Sequence, residues 1–127
     1  MYHYKEECKV NGKTLRMGGI TKRSLAAMKH IPKVGTIQSV KGYTYNGRGG
    51  NTHTGVLVKG DKGSVRFGGF SWGYCGEGCR GLQILFDSLH LPADATMFIV
   101  WPSLAGPART HWKFNLIKGI WYTDNNI

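Results

Sequence analysis

Apolar and polar residues change their spacing several times along this chain of 127 residues, and each change marks an element. Tyr2 to Val10 and Lys13 to Ile20 read as extended segments joined at Asn11-Gly12, a dipeptide suited to the positive φ angles of tight hairpins. Thr21 can cap a short helix, Lys22 to His30, with Leu25, Ala26, Met28 and Ile31 toward one side and Lys22, Arg23, Lys29 and Lys33 toward the other. Pro32 is expected to end it. Alternation over Val34 to Tyr45 predicts a strand, and Thr54 to Lys59 with Ser64 to Phe67 predicts a hairpin around Gly60-Asp61-Lys62-Gly63.

Leu82, Leu85, Phe86 and Leu89 then recur at helical spacing, so a longer helix is expected from about Gly78 to Leu91. Pro92-Ala93-Asp94 reads as a turn, and the apolar run Thr96 to Trp101 as a short strand buried on both faces. Beyond a loop from Ser103 to Arg109, Trp112, Phe114 and Leu116 alternate with Lys113 and Asn115, the pattern of a half-exposed strand. Gly119 bends the chain before Ile120-Trp121-Tyr122, and a polar tail follows. The sum is a single α+β domain over 1–127: a mostly antiparallel twisted β-sheet with two helices, the longer following a Gly-rich loop.

Composition narrows the functional classes. No apolar stretch is long enough to span a bilayer, and the first seven residues lack the apolar core of a secretory signal, so a cytoplasmic protein without membrane partners is expected. Cys8, Cys75 and Cys79 are then reduced thiols. The formal net charge is +10, and residues 1–66 hold thirteen of the seventeen Lys and Arg against only Glu6, Glu7 and Asp61. A field of that sign draws in phosphate-bearing ligands and excludes mimicry of DNA. It is also what keeps a glycine-rich protein soluble.

Two stretches stand out for their glycines, and the second is too polar to be core. From Gly68 to Gly81 the chain places Trp72, Tyr74 and Arg80 among six glycines, directly before the predicted helix. Glycine permits positive φ and close approach, and a helix start presents unpaired N–H groups to an anion. Gly76, Gly78 and Gly81 match the spacing of a dinucleotide fingerprint, but the residues before them do not read as a parallel core strand, so a Rossmann unit is rejected. The second stretch, Tyr43 to His53, has no aliphatic residue and offers rings at Tyr43, Tyr45 and His53, a cationic fork at Arg48 and an amide at Asn51. It is expected to be a second wall of the same site or else a hairpin tip. Trp72 and Tyr74 can stack a base, though at least one of them is expected to pack on the core.

Catalysis finds little footing. The seven acids are scattered, which disfavours two-metal chemistry, and no spacing pairs His53, His90 or His111 for general acid and base work. Cys75 and Cys79 lack the spacing and partners of a zinc knuckle. No catalytic residue, metal or cofactor is therefore assigned, and a metal-free phosphodiester lyase using two of these histidines with a Lys or Arg is left as a minor alternative.

The run Gly69-Phe70-x-Trp72-Gly73-Tyr74-x-Gly76-x-Gly78-x-x-Gly81-Leu82 resembles a small domain of unknown function found in phages, plasmids and bacterial genomes, whose W-G-Y-G-G-x-G-P loop leads into a helix. It departs from that pattern at Cys75 and Cys79. The resemblance covers about thirty residues, carries no mechanism and implies a mobile-element setting, in which a small basic protein of this kind looks like an inhibitor of host defence. The first expectation is thus a non-catalytic, phage-type anti-defence protein that sequesters an anionic nucleotide, such as a cyclic nucleotide signal. The ligand residues would be Tyr43, Tyr45, Arg48, Asn51, His53, Trp72, Tyr74, Gly76, Gly78 and Arg80. The alternatives are a nucleic-acid-binding or effector-blocking protein that uses the basic half, and a structural or assembly protein that forms homo-oligomers.

Overall fold

The fold is taken from a computed structural model, which describes residues 6–10, 13–17, 21–46, 48–50, 52–73, 77–100 and 110–124. Seven strands form one sheet: β1 (Glu6–Val10), β2 (Lys13–Met17), β3 (Ile37–Asn46), β4 (Thr52–Gly60), β5 (Gly63–Phe67), β6 (Trp112–Ile117) and β7 (Ile120–Thr123). Their order is β2-β1-β5-β4-β3-β6-β7, and every neighbouring pair is antiparallel. Helices α1 (Thr21–Ala27), α2 (Glu77–Ser88) and α3 (Ala93–Val100) complete the α+β fold.

Strand alternation divides the sheet into two unlike faces. Val40, Val56, Val58, Val65, Phe67, Trp112 and Phe114 point to one side, where they form a continuous core with Phe70, Leu82, Leu85, Phe86 and Leu91. Trp112 lies at its centre, 5.3 Å from the Trp72 ring and 5.2 Å from Phe86, both edge-on. The opposite, outer face carries Lys41, Tyr43, Tyr45, His53, Arg66 and Lys113, and no described helix packs there.

Three local expectations need correction. The apolar run after Pro92 is helix α3, not a buried strand: the Pro92 carbonyl accepts the N–H groups of Ala95 and Thr96, which starts a helical turn. A short apolar run fits a buried helix as well as a strand, and periodicity alone does not separate them. The fold therefore has three α-helices rather than two. Pro32 does not end the first helix either. The chain tightens into a 3₁₀ segment over Met28–Val34 that includes it. Finally, α2 ends before Leu91: His90 adopts φ 60°, its N–H donates to the Asp87 carbonyl, and the Leu91 N–H donates to the Phe86 carbonyl. This is a Schellman closure with histidine in the left-handed position, and it turns Leu91 into the core.

The 3₁₀ segment also holds a group sensitive to pH. Burial lowers the His30 pKa from its ordinary 6.5, and Lys33 and Lys29 add repulsion. The folded protein thus binds this proton less readily than the unfolded chain. The contribution of neutral His30 is complete above pH 6.5 and is lost as pH falls through the lowered folded pKa. A His30→Gln variant should show a shallower fall of melting temperature on acidification below that value. An unchanged slope would show that other groups set the acid limb.

Candidate functional site

Both polar stretches meet at one end of the sheet, where β4 begins and β5 ends. They enclose an open cleft of about 660 Å³. Thr52, His53 and Thr54 line it from β4, and Gly68, Gly69, Phe70 and Ser71 from the segment leaving β5. Thr21 at the start of α1 and Glu77 and Gly78 at the start of α2 close the remaining sides.

The glycine segment is fixed by hydroxyl groups from different elements. Thr21 Oγ1 donates to the Gly69 carbonyl at 2.7 Å, the Gly69 N–H donates to Ser24 Oγ at 2.9 Å, and Thr54 Oγ1 donates to the Phe70 carbonyl at 2.7 Å. The Ser71 N–H donates to the Gly78 carbonyl at 3.2 Å. A loop without side-chain bulk is thereby held in one shape, because its own polar groups are satisfied by its neighbours.

The glycines of the fingerprint-like spacing serve packing. Gly78 and Gly81 lie within α2, not in a loop before it. A Cβ on Gly78 would meet Ser71 Oγ at 2.2 Å, and one on Gly81 would meet Thr21 Cγ2 at 2.7 Å and the Phe70 ring at 2.9 Å. Glycine at these positions lets α1, α2 and the Phe70 segment approach closely.

The expected ligand residues separate into four groups. His53 and Gly78 line the cleft. Tyr43 and Tyr45 do not, but they adjoin it: Tyr45 faces His53 across the β3–β4 pair, with rings stacked at 5.5 Å, and Tyr43 follows at 5.9 Å. These residues are on strands, since β3 runs to Asn46 and β4 starts at Thr52, so the presumed long loop is a short hairpin connection. Trp72 is 5% exposed against Trp112 and belongs to the core, while Arg80 is exposed on α2 and does not line the cleft. Asn51, Tyr74 and Gly76 lie outside the described residues, as does the side chain of Arg48.

Sequence reasoning missed Thr21, Thr52, Thr54, Ser71 and Glu77. Thr21 was legible only as a helix cap, and no local pattern joins it to Gly69, forty-eight positions along the chain. The electrostatics differ from expectation as well. Among the described lining residues there is no Lys or Arg, and Glu77 is the one formal charge. The cations stand next door on the outer face. Of the three histidines considered for acid and base chemistry, only His53 lines the cleft, and no group of three or more described His, Cys, Asp or Glu is gathered for a metal ion. No described helix is long and apolar enough to cross a membrane.

No family model, curated protein or solved structure matches this chain.

Proposed function

We propose that the protein binds an anionic nucleotide at this cleft and performs no chemistry on it. The observation that carries this reading is that His53 belongs both to the cleft wall and to the row of rings on the outer face. A base in the cleft has hydroxyls from Thr21, Thr52, Thr54 and Ser71 around it, and one that reaches the outer side of β4 meets the His53 imidazole. Glu77 opposes a phosphate in the cleft but accepts readily from a base N–H. The base therefore goes inward and the phosphate outward, toward the positive face. Sequestration of a nucleotide signal, as a phage-type inhibitor of host defence, is the role such binding would serve, and it draws on the resemblance of the glycine segment.

Thermal unfolding with a panel of linear and cyclic nucleotides, at two salt concentrations, tests the proposal. A ligand at a hundredfold excess over its dissociation constant adds about 2.7 kcal/mol to stability. The matching nucleotide should raise the melting temperature at both salts, and Glu77→Gln should weaken it by about tenfold, the scale of one hydrogen bond to a charged group. A panel without any stabilising nucleotide sinks the reading. A Glu77→Gln variant that instead binds inorganic phosphate and nucleotides more tightly would place the phosphate in the cleft.

A further inference from the structure

The outer face of the sheet carries more recognition chemistry than one nucleotide uses. His53, Tyr45 and Tyr43 form a continuous row across β4 and β3, with neighbouring centroids 5.5 and 5.9 Å apart. Tyr43 extends the row because its partner in register is Gly55, where a Cβ would lie 2.4 Å from the Tyr43 ring. Absence of a side chain there lets the ring lie down across β4, and the Arg66 guanidinium on β5 stands 5.9 Å from its centroid. The row thus reaches over three strands, beginning at the cleft and ending on a cation.

Charge on this face is mainly positive, with Glu7 on β1 as the register partner of Arg66. Lys41, Lys59, Arg66 and Lys113 share it by strand alternation, and Lys41 and Lys113 are direct register partners on β3 and β6. Like charges placed opposite one another weaken a sheet. Asp124 answers only part of this, lying 4.0 Å from Lys113 Nζ while its Oδ2 accepts from Asn115 Nδ2 at 3.0 Å. A paired set of cations beside a row of rings complements a ligand that alternates planar bases with phosphates.

We propose that the outer face is a platform for a single strand of nucleic acid, which runs from the cleft over Tyr45 and Tyr43 with its phosphates along Lys41 and Lys113. The proposal rests on the preceding reading only for the nucleotide held in the cleft. Aromatic rings serve any base, since each presents a π face, and the lysines follow the backbone without reading sequence. A duplex hides its base faces and cannot use the row.

Fluorescence anisotropy with thymidine monophosphate as competitor, and with labelled thymidine oligomers of two, four and eight nucleotides, decides the matter. The tetramer should bind at least tenfold more tightly than the monophosphate, and Tyr43→Ala should cost the tetramer at least fivefold while changing monophosphate affinity less than twofold. Lys41→Gln, an exchange at a half-exposed side chain, should reduce the salt dependence of tetramer binding. If the tetramer binds no better than the monophosphate, or a duplex of equal length binds as well, the platform is refuted and the cleft reading stands. If the tetramer binds and no mononucleotide does, the cleft reading fails and the platform stands. Absence of all binding removes both.

Discussion

Replacing Gly42 by alanine is expected to cost about 3 kcal/mol or more, the upper end of what overpacking a close-packed core costs. Gly42 faces the core from β3 and is the register partner of Trp112 on β6. A Cβ there would lie 2.1 Å from Trp112 Cε2 and 2.3 Å from Nε1. The indole is 2% exposed and enclosed by Trp72, Phe86 and Phe114, so it has nowhere to shift. Against a usual domain stability of about 5–15 kcal/mol, the loss removes a large share of the margin. Chemical denaturation measures it, and a cycle with Trp112→Leu isolates the clash, because the second change should restore part of what the first removes. A loss under about 1 kcal/mol would show that the indole can move.

The second large effect is expected at Gly81, where two contributions of opposite sign compete. Alanine is favoured over glycine inside a helix by about 1 kcal/mol. Against this, the new methyl group would press on Thr21 and on Phe70, which is fully buried, and overpacking costs about 1–3 kcal/mol. Alanine should therefore be mildly destabilising. Valine adds two more carbon atoms and should cost several kcal/mol. The functional consequence is larger than the loss of stability, since displacement of Thr21 breaks its bond to the Gly69 carbonyl and shifts one side of the cleft. Under conditions where Gly81→Val remains folded by circular dichroism, nucleotides should no longer raise its melting temperature. An alanine variant more stable than the parent would mean that α1 and α2 are not in close contact.

Much of the fold was legible because strand alternation and helical spacing are local. Val56, Val58, Val65 and Phe67 predicted β4 and β5 together with their buried face, and Leu82, Leu85 and Phe86 predicted α2 with its own. What sequence could not supply was the meeting of distant parts. Trp72 looked like a stacking ring and proved to be core, because the partner that buries it, Trp112, lies forty positions away on β6. The glycines after Tyr74 looked like a phosphate cradle, yet Gly78 and Gly81 answer to the hydroxyl of Ser71 and the ring of Phe70. The two candidate stretches were found from composition, and the cleft between them from topology alone, since β4 and β5 carry both to the same end of the sheet.

The bond between the Gly69 N–H and Ser24 Oγ has a dynamic consequence. The amide belongs to the wall of the cleft and its acceptor belongs to α1, a helix of only seven residues. Short elements detach at lower free energy than a whole domain unfolds. Exchange of the Gly69 amide hydrogen with solvent therefore counts the excursions in which α1 lifts away and the cleft loses its shape. Slower exchange at that single amide would register an occupied site without any signal from the ligand.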